Sequence, residues 1–194
     1  MEPKGAKVPQ RSQTSRDAAW KLLTENVANR NLRKHCLAAE ALMRALARRL
    51  GEDEELWGLA GLVHDVDYDQ TAQQPDLHAE LGARMLAERG YPQAVVDAVR
   101  AHAGKKPVQT RMERALYAAD PLTGFLVACA LIHPQKKLFA IDLPFVQNRF
   151  GEKGFARGAS RDIMKTSSEL GLTLDEFLAL GLSAMQAIAE ELGL

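Results

Sequence analysis

The residues in this chain that could do chemistry are His35, His64, Asp65, His78, His102 and Asp120. His64 and Asp65 are adjacent and close the apolar run Leu56-Trp57-Gly58-Leu59-Ala60-Gly61-Leu62-Val63. Imidazoles and carboxylates in such a set are ligands for a divalent transition metal, and a set without cysteine argues against a structural zinc site. Each residue alone has a plainer reading. A single histidine on an apolar face is usually a satisfied core residue, Asp65 could end a helix, and Asp120 could pair with Arg111 or Arg114. Six polar groups that all point inward are harder to explain, because burying an unpaired carboxylate costs several kcal/mol. A shared metal ion satisfies them together.

Helical periodicity supplies the inward direction. His35 shares a face with Ala39, Leu42 and Leu46, and His64 continues the stripe of Trp57 and Ala60. His78 lines up with Gly82 and Met85, His102 with Val95 and Val99, and Asp120 with Met112, Leu116 and Tyr117. The predicted helices are 15–28, 31–50, 53–66, 77–89, 92–103 and 110–132, followed by a broken segment 133–160 and helices 160–170 and 173–192. Thr173 to Glu176 reads as a capping box. No period-two strand is found, so the expected fold is all-α: a tail over 1–13, a helical core over 14–132 that carries the ligands, and a helical extension over 133–194 packed on the same domain. The last helix presents Leu174, Phe177, Leu178, Leu182, Met185 and Ile188, which fit that packing or a homodimer surface.

Composition narrows the function. The 25 basic and 25 acidic residues cancel, so no global field draws the protein to a nucleic acid polymer or an anionic membrane. Cys36 and Cys129 lie in apolar helical stretches and read as buried thiols, which fits a cytoplasmic protein. No signal peptide is read at the N-terminus, and no apolar stretch is read as membrane-spanning. His133, before Pro134, reads as a surface or capping residue.

The order of an early His35, the His64-Asp65 pair and a late Asp120 resembles the HD-domain superfamily of metal-dependent phosphohydrolases. His78 and His102 resemble the expanded pattern of members with two metals. The resemblance covers roughly residues 16–132 and implies a compact HD-domain helical bundle with a C-terminal extension. Val63-His64-Asp65-Val66-Asp67-Tyr68-Asp69 and Ala115-Leu116-Tyr117-Ala118-Ala119-Asp120-Pro121-Leu122-Thr123-Gly124 are similar to a small, poorly characterised bacterial group of such hydrolases. The resemblance implies that His35, His64, Asp65 and Asp120 hold one ion, with Asp65 bridging to a second held by His78 and His102. It makes Asp65 and His64 the catalytic pair. Iron or manganese is favoured, with magnesium, cobalt, nickel and zinc as alternatives.

Many relatives have a neutral or basic residue where this chain has Asp67 and Asp69. The two read either as partners of a ligand histidine or, preferred here, as a solvated acidic loop. Lys105, Lys106, Arg149, Lys153 and Arg157, with Arg161 beside them, are candidates for holding a substrate phosphate. The function expected is a phosphohydrolase acting on a small phosphorylated metabolite, a nucleotide or dinucleotide polyphosphate, through metal-activated water. The alternatives are a di-iron oxygenase and a non-catalytic, metal-stabilised helical binding module.

Overall fold

Helix ends in this chain are written in its capping residues. The computed structural model describes residues 14–194; the tail expected over 1–13 lies outside the described residues. Ser15 caps α1 (Arg16–Asn26), and Asn29 caps α2 (Arg30–Leu50), which stops at Gly51 in the left-handed conformation. Asp53 caps α3 (Glu54–Val63). Short α4 (Tyr68–Thr71) precedes α5 (Glu80–Glu88) and α6 (Gln93–His102). Thr110 and Glu113 form a reciprocal capping box on α7 (Arg111–Ile132). There follow α8 (Leu143–Gly151), α9 (Arg161–Lys165), α10 (Leu174–Gln186) and α11 (Ala189–Leu192), with 3₁₀ turns at Leu138–Ala140 and Thr166–Leu170. Among the described residues there is no strand, in line with the all-α expectation.

The helices α2 and α3 form the most extensive pair, and α7 packs against α2, α6, α9 and α10 at the centre. One hydrophobic cluster runs from Ala19 on α1 to Leu192 on α11. By length and composition α7 could cross a membrane, which corrects the expectation that no segment would qualify. Here Leu116, Leu122, Phe125 and Leu126 of this helix are fully buried in the core. Phe177, Leu178, Leu182 and Met185 of α10 are buried. Gly181 lies so close to Leu122 that an added Cβ would come within 2.7 Å of its Cδ2. The apolar face of the last long helix therefore packs on the core. Its capping box from Thr173 to Glu176 is present, but the helix breaks at Ala187 and Ile188 rather than running to 192.

Two of the element boundaries that differ from the periodicity reading lie beside candidate ligands. The third helix ends at Val63, so His64 is its C-terminal flank and Asp65 sits in the turn beyond. His78 is not helical: Ala79, at φ +66°, takes the left-handed conformation and delays α5 to Glu80. A non-glycine residue there is uncommon and strained.

Among the glycines of the described residues, Gly61 is the most tightly hemmed in. A Cβ on this residue would lie 2.6 Å from the carbonyl oxygen of Ala39 and 2.8 Å from the amide nitrogen of Glu40. The obstacle is backbone, which yields far less than a side-chain end. Gly61→Ala is expected to destabilise the fold by about 1–3 kcal/mol, towards the upper end because α2 and α3 must separate. Gly124→Ala, in open space on α7, should stabilise by up to about 1 kcal/mol through helix propensity. Urea unfolding of the two variants checks the opposite signs.

Candidate metal centre

Four imidazoles meet in the space between α2, α3, α6 and the turn before α5, and each is steered by a hydrogen bond on its outer nitrogen. His64 donates from Nδ1 to the Gly61 carbonyl at 2.8 Å. His102 donates from Nδ1 to the Val99 carbonyl, and His78 from Nδ1 to Asp67 Oδ1 at 3.0 Å. Thr123 gives its one hydroxyl proton to the Asp120 carbonyl at 2.8 Å, so its oxygen accepts from His35 Nδ1 at 2.9 Å. An outward N–H on each ring aims its Nε2 inward, where a metal ion would meet four bare lone pairs.

The inward atoms are crowded. His35 Nε2 lies 3.0 Å from His64 Nε2 and 3.1 Å from Asp120 Oδ1. Asp65 divides its carboxylate between two histidine pairs. Its Oδ2 is 3.7 Å from His35 and 3.5 Å from His64, and its Oδ1 is 3.4 Å from His78 and 3.5 Å from His102. Two unprotonated nitrogens at 3.0 Å repel unless a cation lies between them. An ion about 2.1 Å from each ligand sets its ligands roughly 3.0–3.4 Å apart, so the donor set fits a divalent metal.

Burial and charge agree with that fit. His64 is fully buried, and burial holds its pKa below the ordinary histidine value. Burial also opposes the charged forms of His35 and His102, but Asp120 beside the first and Asp65 beside the second outweigh it and raise both. Burial would raise Asp65 and Asp120. The facing imidazoles instead hold Asp65 well below the usual carboxylate range and lower Asp120, so both stay ionised. Asp120 is less enclosed than its apolar helix suggested: its side chain is 35% exposed and lines a cavity of about 440 Å³ with His35, His102 and Tyr117. The opposite wall is Ala156, Gly158, Ala159, Ser160 and Ile163.

The structure brings all six sequence-chosen ligands together and sorts the remaining candidates. Asp67 is fully buried and holds both His78 Nδ1 and the Gly82 amide at 2.8 Å, so the preferred reading of a solvated loop was wrong for it. Asp69 does lie on the surface, accepting from the Ala28 amide at 2.6 Å. Lys106 pairs at 2.6 Å with buried Glu113, Lys105 donates to the Pro75 carbonyl, and Arg149 pairs with Glu152 at 2.7 Å. None of the three lines the metal-side cavity. Lys153 and Arg157 line a neighbouring cavity. His133 is the C-terminal flank of α7. Both cysteines are buried and free, as expected. Periodicity missed Thr123, whose signal was its place one turn after Asp120, and the wall at 156–163, which had none.

Residues 32–124, which contain all six candidate ligands, match the HD domain family. The chain contains an HD domain. Relatives include proteins named Ribonuclease Y: from Desulfotalea psychrophila, 26% identical over 84% of this chain and 32% of the relative, from Sulfurovum sp., 32% identical over 48% and 18%, and from Aquifex aeolicus, 29% identical over 53% and 18%. The chain therefore spans about a third or less of the length of these relatives.

Asp67→Asn would keep the shape of its side chain but replace one acceptor by an amide donor. The amide then donates to His78 Nδ1 and moves the ring proton to Nε2. Long-range proton–nitrogen NMR of the metal-free protein should show the Nδ1–H tautomer of His78 in the wild type and the Nε2–H tautomer in the variant. Cobalt affinity should fall by about 10–100-fold.

Proposed function

We propose that the HD domain of this chain is a metal-dependent phosphoester hydrolase acting on a nucleotide-class substrate of small size. The observation that carries the reading is the divided Asp65 carboxylate, one oxygen toward His35 and His64 and the other toward His78 and His102. In this reading His35, His64, Asp65 and Asp120 hold one divalent ion, and Asp65, His78 and His102 hold a second, iron or manganese being favoured. Such ions acidify water and neutralise charge on the attacked phosphoryl group.

The chain supplies position and exclusion. Thr123, Gly61, Val99 and Asp67 fix the four rings before any substrate arrives, which removes reorganisation from the reacting step. His64 is fully buried and Asp65 and His102 nearly so, which keeps bulk water from the inner side. The phosphoryl group enters from the cavity side, where Asp120 is exposed and where the Tyr117 and Ser160 hydroxyls can donate to its oxygens. No serine or cysteine nucleophile is needed. A cavity of about 440 Å³ suits a mononucleotide or dinucleotide, and the neutral chain supports a small substrate over a polymer.

The relatives favour a second reading. A protein named Ribonuclease Y matches over 84% of this chain, which makes the phosphodiester of RNA the alternative target. Both belong in one assay. Anaerobically purified protein loaded with manganese or iron is offered bis(p-nitrophenyl) phosphate, nucleoside mono- and polyphosphates, dinucleotides and a short RNA.

The expected result is turnover of the small nucleotides, abolished by chelation and lowered about 100-fold or more in Asp65→Asn, the equivalent of several kcal/mol of lost charge stabilisation. Turnover confined to the RNA would replace the small-substrate reading by the second. No turnover by folded, metal-loaded protein would overturn both, and activity with redox-inert zinc would exclude oxygen chemistry.

A further inference from the structure

A second cavity, of about 610 Å³, adjoins the first and shares Ala159 and Ser160 with it. Lys153, Arg157, Arg161 and Lys165 line it, with Asp162 as the carboxylate among them. The Asp162 side chain is 95% exposed and only loosely paired with Lys165 at 3.4 Å, so the cavity keeps a positive excess in a chain of zero net charge. Several cations elsewhere are neutralised at close range, Arg16 by Glu40, Arg44 by Glu55, Arg111 by Glu52 and Arg114 by Glu169, and what sets this group apart is its gathering around one cavity. Lys153 and Arg157 are exposed and, among the described residues, make no ion pair. Positive charge concentrated at a concave site and left without partners is the pattern of an anion site.

The wall between the cavities is fixed in place. Arg161 donates to the carbonyls of Phe155 at 2.7 Å, Ala159 at 2.8 Å and Ala156 at 3.0 Å, while its guanidinium stacks 4.3 Å above the Phe125 ring on α7. That anchorage ties the 155–160 segment to the helix bearing Asp120. Ser160 Oγ accepts from the Ile163 amide at 3.3 Å, which leaves its hydroxyl proton for a ligand on the wall. Arg157 lies on the anchored segment and Lys153 just before it, and both line the second cavity beyond the wall.

The geometry points to a substrate with two phosphate groups, one presented to the Asp65 cluster and the other held across the Ala159–Ser160 wall by Lys153, Arg157 and Lys165. This rests on the hydrolase reading for the role of the first group. The second phosphate has two sources, a bisphosphorylated nucleotide or the next phosphate of an oligonucleotide, and both present the same dianionic or monoanionic oxygens to the cavity.

Calorimetric binding of three probes to manganese-loaded full chain tests it: 5′-AMP, adenosine 3′,5′-bisphosphate and the dinucleotide pApA. Wild type should bind a two-phosphate probe about 10-fold more tightly than AMP, the size of one or two charge-assisted contacts. Lys153→Glu/Arg157→Glu should erase that advantage, and Lys136→Glu/Lys137→Glu, a matched charge change on another surface, should keep it.

A larger advantage for pApA assigns the second phosphate to an oligonucleotide, and a larger one for the bisphosphate assigns it to a small nucleotide. Equal affinity for all three probes in wild type, or equal loss for all three in the Lys153/Arg157 variant, overturns the inference. Turnover of bis(p-nitrophenyl) phosphate, measured in the same samples, reports on the hydrolase reading separately, since that reading can fail while the binding pattern stands.

Discussion

The site depends on one contact between backbones, the seat of α3 on α2 at Gly61 against Ala39 and Glu40. His35 extends from α2 and His64 follows α3, and their Nε2 atoms lie 3.0 Å apart with no side chain between the two backbones at Gly61. The carbonyl of the same Gly61 receives His64 Nδ1. A single residue therefore sets both the distance between two ligands and the tautomer of one. Leu42, Leu46, Ala60 and Leu62 on the two helices are fully buried and favour keeping that seat.

Around this seat the structure places a group of side chains that would repel one another if nothing lay between them. Four inward lone pairs and two ionised carboxylates are gathered in a largely apolar interior, where an uncompensated charge is costly. The outer partners aim the rings: three of them are acceptors held in place by backbone or burial, and the fourth, Thr123, donates to the Asp120 carbonyl, while Asp120 and Asp65 favour an added proton on His35 and His102 in the absence of a metal. Stability and function pull apart here, as at many active sites, and a bound cation reconciles them. Residues 149–165 close the outer side with Arg161 spent on carbonyls and with Lys153 and Arg157 left, among the described residues, without an ion pair, so the extension contributes to the cavity as well as to the core.

Much of this was legible in residue spacing. His35, His102 and Asp120 sit on helices, and His64 directly follows one, whose apolar period gives their direction, and the resemblance to HD domains supplied their grouping. His78 faces Asp65 as its spacing suggests, but from a turn rather than from the expected helix. Ala79 in the left-handed conformation starts the helix later than the apolar pattern does, and no residue type announces such a conformation in an alanine. Asp67 was read as solvated because an acidic triplet in a loop is usually solvated; only the fold carries Gly82 and His78 to it. Lys106 was drawn to a phosphate role by nearness in sequence to His102, whereas tertiary packing gives it the buried carboxylate of Glu113. The metal-side wall at 156–163 comes from a segment broken by glycine and proline, where periodicity carries no direction.

The central claim is that Asp65 joins two half-sites, each with its own histidine pair. Its most direct test is the metal content of anaerobically purified wild type beside His78→Ala/His102→Ala, both checked for native helicity. Two ions per chain in the wild type and one in the variant, still held by His35, His64 and Asp120, is the predicted result. A folded wild type with at most one ion, or a folded variant that keeps two, would contradict it.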